Sequence, residues 1–219
     1  MNPLFLVPLL LLNIFASAQE TPSSNLPLAD KTPKQLLQCF SDLQNMCGAG
    51  DRWEIADVLG HQENKPFLLS EFWKTRNEER RLGIIYSLYR INDPEVAAFF
   101  RRLVSRRFDD GESLYYPLNY LAKLCDPAAL SILSGGGKGG YEGYPGCLQW
   151  STTVKLFGKC KYRKAIPFLI DSLTAACMNI GDAADGSLRQ LFPGAPQFHS
   201  AEEAQKYYRR RAAAKSAHH

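Results

Sequence analysis

The chain is expected to fold as an all-α protein, an α-solenoid of about five stacked antiparallel helix pairs braced by disulfides. Three observations carry this. From Pro33 onward apolar residues recur at spacings of three and four, and alternating strand-like runs are missing. Two Asp-Pro turns, at Asp93-Pro94 and Asp126-Pro127, stand 33 residues apart. All six cysteines can be assigned partners, four from the expected ends of helices and two by elimination. A repeat unit of two helices cannot bury its apolar stripes alone, so neighbouring units must stack on one another.

The first element is a leader. Leu4 to Leu12 is an apolar run broken only by Pro8, followed by Ala16-Ser17-Ala18, the small-x-small pattern of a signal-peptidase site. The run is well short of the roughly 20 residues a helix needs to cross a bilayer. No Lys or Arg precedes it, which leaves the amino terminus as its only positive charge. A buried helix is the competing reading, but the cleavage pattern and the polar, Pro-containing segment after it favour export. Residues 1–18 are therefore expected to be a signal peptide and residues 19–32 a flexible linker. Residues 33–214 form the solenoid and 215–219 a tail. The mature protein is placed outside the cytoplasm, secreted or periplasmic, with no membrane span after cleavage. No Asn-x-Ser/Thr is present, so N-glycosylation is not expected.

Within the solenoid, Leu82, Ile85, Leu88 and Tyr89 make one helical stripe, and Val96, Phe99, Phe100 and Leu103 the next. Asn92-Asp93-Pro94-Glu95 separates them. The Asp can cap the second helix, and Pro at its first position needs no N–H partner. A third stripe runs through Leu114, Leu118, Leu121 and Leu124 and ends in Asp126-Pro127. Aligning Ile91–Leu103 with Leu124–Leu133 and Cys160–Ile170 makes Phe99, Ile132 and Phe168 equivalent, and likewise Phe100, Leu133 and Leu169, at offsets of 33 and 36. The stretch before residue 77 is helical by pattern but off that register. The helix after Asp126-Pro127 should stop at Ser134, because Gly135-Gly136-Gly137 cannot hold a helix.

These pairs, with Asp-Pro at the inner turn and an apolar-x-x-apolar-apolar second helix, resemble HEAT-like repeats of the type also found in phycobilisome lyases. The end of the chain is similar too. Ser187-Leu188-Arg189-Gln190-Leu191 leads to Pro193-Gly194, then to Ser200-Ala201-Glu202-Glu203 and Tyr207-Tyr208-Arg209. Ser200 with Glu203 has the spacing of a capping box. The resemblance covers about residues 77 to 211. It implies binding or scaffolding, with the second helix of each pair lining a concave face and no universal catalytic residue.

In an oxidising compartment the six cysteines are expected to pair. Cys147 opens one helix and Cys177 lies near the end of its antiparallel partner, so those ends should meet. Cys125 and Cys160 both close the first helix of successive pairs and can meet across the repeat interface. Elimination leaves Cys39 with Cys47. Eight residues of continuous helix would hold that pair about 12 Å apart, so the helix must end before Cys47.

Composition is that of an ordinary globular chain, with 45% apolar and 22% charged residues. A net charge of +4 is too mild to call for nucleic acid. The four histidines, at 61, 199, 218 and 219, have no metal-binding spacing, and Cys-x-x-Cys is absent. Lys138 is followed by Gly139 rather than by the Ser or Thr a phosphate-binding loop needs, and no Gly-x-Ser-x-Gly occurs. No catalytic residue, metal or cofactor is assigned. Arg101, Arg102, Arg106 and Arg107 cluster on one second helix. They form either a solvated face or a basic concave strip that meets another protein or an anionic cell-surface polymer. On the second reading Arg102 and Arg106, one turn apart, make the contact. Tyr141 and Tyr144, in the 12-residue loop Gly135–Gly146, would either stack on a ligand or anchor the loop. The favoured function is thus an exported binding or scaffolding module. Its competitor is an exported, disulfide-braced hydrolase or lyase acting on a wall polymer or glycan, which requires two carboxylates facing across a cleft.

Overall fold

The computed structural model describes residues 26–42, 47–106, 111–135, 146–177 and 179–216. The leader 1–18, linker residues 19–25, Arg107, Tyr141 and Tyr144 lie outside the described residues. Those described are all-helical, without strands, and are joined by three disulfides. Eleven α-helices follow in order: α1 (Pro33–Cys39), α2 (Arg52–Leu59), α3 (Lys65–Lys74), α4 (Glu78–Arg90), α5 (Pro94–Ser105) and α6 (Gly111–Lys123). They continue with α7 (Pro127–Leu133), α8 (Cys147–Lys159), α9 (Ile166–Ser172), α10 (Ile180–Leu191) and α11 (Ala201–Ser216). Among the described residues no helix is long and apolar enough to cross a membrane.

Local chemistry sets the helix boundaries. Asp93 accepts from the Glu95 N–H ahead of Pro94, and Asp126 accepts from Ala128 and Ala129 ahead of Pro127, so each turn both satisfies free amides and tolerates the missing proline N–H. At the start of α11 the Ser200 hydroxyl takes the Glu203 N–H at 3.1 Å, while the Glu203 carboxylate reaches the His199 N–H rather than that of Ser200. The ends of α6 and α8 are built alike. Asp126 N–H bonds Leu121 C=O and Cys125 N–H bonds Ala122 C=O; Tyr162 N–H bonds Phe157 C=O and Lys161 N–H bonds Gly158 C=O. This is the Schellman arrangement, with Cys125 (φ +58°) and Lys161 (φ +53°) in the left-handed region.

Cross-helix contacts show that α2, α4, α6, α8 and α10 lie side by side and point the same way. Trp53 stacks on Tyr86, and Asp57, one turn on, pairs with Arg90. Tyr86 meets Tyr116 edge to face, and Tyr89 bonds Asn119. Tyr115 bonds the Gln149 carbonyl, and Asn119 bonds Thr153. Ser187 bonds the Val154 carbonyl, and Lys161 that of Gln190. Along this row Ile55, Leu88, Leu121 and Phe157 occupy equivalent places at offsets of 33, 33 and 36, all fully buried. The 33-residue spacing of buried residues therefore extends back to Ile55 in α2.

Two stripe assignments are corrected. Leu124 is 49% exposed, because α6 ends at Lys123 and Leu121 is the last residue of its stripe to reach the core. Ile132 is 39% exposed. In the seven-residue α7 the buried face is Ala129, Leu130 and Leu133, and Ile132 stands about 100° round from Leu133. Phe99, Phe100, Leu133, Phe168 and Leu169 are buried as expected. At the N-terminal end, α1 packs on α2 and α4. Phe40 fits against Gly83 so closely that a Cβ there would lie 2.4 Å from the phenyl Cγ.

The bridges join Cys39 to Cys47, Cys125 to Cys160 and Cys147 to Cys177, with Cα separations of 5.6, 5.3 and 5.6 Å. The first is possible because α1 stops at Cys39. Cys177 lies past the end of α9, in the link to α10, so its bridge ties the start of α8 to the start of the next parallel helix.

Candidate binding surface

Arg102 and Arg106 are one helical turn apart and exposed. They are not equivalent. α5 ends at Ser105, so Arg106 is its cap residue, and its guanidinium lies 5.0 Å from the ring centroid of Trp73, itself 44% exposed. Trp73 meets Phe99 edge to face, which anchors this cation–aromatic pair to the core. Arg101 is turned to a structural task. Its Nε donates to Asp126 at 2.9 Å, clasping α5 to the cap of α7. Burial opposes ionisation of Asp126, but Arg101 and the Ala129 and Ala128 amides together hold its carboxyl below the usual range.

The same clasp occurs one unit earlier, where Lys65 of α3 donates to Asp93 at 2.9 Å. Lys65, then Gln62 and the Glu95 amide, lower the Asp93 carboxyl to about 2. Of the other arginines, Arg80 donates to Ser41, Arg81 to the Thr75 carbonyl, and Arg209 pairs with Asp171 at 3.3 Å. Arg210 and Arg211 border a shallow hollow with Phe198 and Tyr207.

A second surface, on the parallel row, escaped the sequence reading. Asn119 is fully buried on α6. Its Oδ1 accepts from the Tyr89 hydroxyl at 2.7 Å, and its Nδ2 donates to Tyr115 Oη and Thr153 Oγ1, both at 3.1 Å. Tyr115 in turn donates to the Gln149 carbonyl at 2.9 Å. This chain links α4, α6 and α8 through groups whose burial demands partners. Burial, then Tyr116, pushes the Tyr89 hydroxyl up to about 12, and burial raises Tyr115 further, so both stay protonated donors.

Lys123 closes the chain at the surface. Its ammonium donates to the Tyr89 hydroxyl and sits 4.1 Å from that ring's centroid. Burial, then Arg90 and Lys159, lower its pKa. Arg90, Lys123 and Lys159 are the last residues of α4, α6 and α8, at offsets of 33 and 36. Asp57 holds the equivalent place in α2 and pairs with Arg90 at 2.7 Å. Trp53 stacks on Tyr86 with centroids 4.5 Å apart, and the Arg90 guanidinium lies 4.8 Å from the Trp53 ring centroid. The signal for this surface was present as a strict 33-residue spacing of Asp57, Arg90 and Lys123, and an alignment of apolar stripes does not detect it.

Two carboxylates do line one hollow. Asp182 and Asp185, a turn apart on α10, border a cavity of about 250 Å³ with His199. Asp185 is already engaged, accepting from Arg189 at 2.6 Å and from Tyr208 at 3.2 Å. Among the described residues no group of three or more His, Cys, Asp or Glu side chains is arranged to hold a metal ion. No family model matches the chain, and neither curated proteins nor solved structures give a match.

Proposed function

We propose that the chain is an exported HEAT-like α-solenoid that binds another macromolecule and serves as a scaffold outside the cytoplasm. The observation that carries the reading is the parallel row in which Ile55, Leu88, Leu121 and Phe157 recur at one buried place. Helices that lean chiefly on near neighbours in the chain make an extended stack, and extended stacks present long surfaces suited to macromolecular partners. Three disulfides and an N-terminal segment with a cleavage pattern support an oxidising compartment.

The partner is another protein or an anionic cell-surface polymer, met through Arg102 and Arg106 beside Trp73. The competing reading, a hydrolase or lyase on a wall polymer or glycan, has Asp182 and Asp185 as its carboxylate pair. It ranks second because Asp185 is consumed by Arg189 and Tyr208, and the two sit on one helix rather than across a cleft.

The test is crosslinking of the mature chain in its native envelope, with Arg102→Glu/Arg106→Glu beside it. A specific crosslinked species that the double variant loses is expected. If no species is captured, the binding reading fails; if Asp182→Asn abolishes turnover of a wall polymer, the enzymatic reading replaces it.

A further inference from the structure

Arg90, Lys123 and Lys159 close three parallel helices on one side of the row. A basic residue in the last turn of a helix is ordinary, since it faces the negative end of the helix dipole. Four further facts set this group apart. The residues sit at equivalent places in successive units, so their charges form a row rather than a scatter. They are close enough for Arg90 and Lys159 to act electrostatically on Lys123.

The third fact is that Lys123 does not swing freely. It is held by the Tyr89 hydroxyl, which Asn119 fixes from below. The fourth is that no ion pair within the described residues reaches Lys123 or Lys159, whereas Arg90 carries Asp57. The first step of the row thus shows a carboxylate seated on a cation, and the next two steps present cations with that place open.

We infer that this edge of the α4–α6–α8 row seats an extended acidic polypeptide segment, with one carboxylate on Lys123 and the next on Lys159. The inference rests on the reading of the chain as a macromolecule-binding module but places the contact away from Arg102 and Arg106. Packed helices lie about 8–10 Å apart, so successive cations repeat at roughly that distance. A polyproline II segment has three residues per turn and rises about 3.1 Å per residue, which brings every third side chain to one face at about 9 Å. Acidic residues at every third place match the row. A sugar polymer would draw on open aromatic faces, but Trp53 already holds Tyr86 and the Arg90 guanidinium, and Lys123 lies against Tyr89. These rings position cations; they do not offer a stacking platform.

The experiment measures fluorescence anisotropy of a labelled peptide of repeated Glu-Pro-Pro on the full oxidised chain at low salt. A peptide of the same composition with its Glu residues in one block, and polygalacturonate as an anionic sugar polymer, are run in parallel. The spaced peptide is expected to bind best. Lys159→Gln, at an exposed site, should weaken it about threefold, and Lys123→Gln/Lys159→Gln roughly tenfold or more, whereas the charge-matched Lys34→Gln/Lys206→Gln, at exposed places on α1 and α11, should leave it within about twofold. Equal binding of both peptides overturns the inference, as does binding of polygalacturonate alone, no peptide binding, or full affinity in the Lys159 variant. Crosslinking separates the two levels. A partner still captured by the double lysine variant leaves the binding module standing while removing this edge as its contact.

Discussion

The two halves of the molecule fasten their neighbouring helices by different chemistry. In the first half, an aspartate at the inner turn caps the helix behind it and takes a cation from the helix before: Asp93 with Lys65, then Asp126 with Arg101. One step further, at the 36-residue offset, the equivalent position is Tyr162, and no side chain caps the helix that follows. There the Cys125–Cys160 and Cys147–Cys177 bridges hold the chain instead. The helices beside these bridges, α7 and α9, are short, at seven residues each. At the cap of seven-residue α7 the two kinds meet, since Asp126 takes Arg101 directly beside the Cys125–Cys160 bridge.

This contrast can be broken most strongly at the sulfurs. Cys125→Ser/Cys160→Ser opens a link spanning 35 residues of chain, and a cost of about 4 kcal/mol is expected from the freed unfolded state. Hydrogen exchange should then show α8 to α11 opening before α2 to α5; uniform loss of protection would show that the bridge is not a local fastener.

Next in size is Asn119→Ala, which leaves the hydroxyls of Tyr89, Tyr115 and Thr153 short of a partner at the centre of the row. A loss of about 2 kcal/mol in denaturant midpoint analysis is expected. A change below about 0.5 kcal/mol would mean that water replaces the amide.

Asp126→Ala removes both a helix cap and the Arg101 clasp, and should cost about 1–2 kcal/mol. If the bridge beside it dominates, the same substitution in the reduced protein will cost more than in the oxidised one; equal costs would refute the division of labour.

The smallest effect is a matter of pH. The Asp93 carboxyl is lowered to about 2 from its ordinary 3.8, so its contribution to stability is complete above pH 3.8 and fades as the pH falls toward 2. Melting temperature should drop across that window in the native chain, and the drop should be smaller in Asp93→Asn. Identical pH profiles would remove Asp93 from the fastening scheme.

What the sequence discloses follows from how local each feature is. Asp93-Pro94, Asp126-Pro127 and the Ser200 cap are decided within four residues, and they stand where the spelling puts them. Two cysteine pairs are legible from helix ends, because a bridge needs little more than two ends brought within reach, and Cys39 with Cys47 follows by elimination. Leu124 misleads because α6 stops one residue before it, and Ile132 because the face that α7 buries is set by Ala129, Leu130 and Leu133, not by the repeat alignment. Among the arginines, sequence gives the cluster but not the engagement: Arg101 is spent on Asp126 and Arg106 on Trp73. The Asn119 network and the Lys123 edge are invisible to any window shorter than a repeat, since each joins residues about 30 or more apart.

The contact between Gly83 and Phe40 has a consequence for how the molecule keeps to itself. A row of helices has two raw ends, and α1 stoppers the first of them by pressing Phe40 into the gap that a missing side chain leaves in α4. A single methyl group at residue 83 would act as a wedge and unseat that stopper. The bared apolar end would then be adhesive toward any second copy. Light scattering should therefore report growing particles for Gly83→Ala under conditions where the parent chain stays dispersed, and a quiet solution would show that α1 is mere trim.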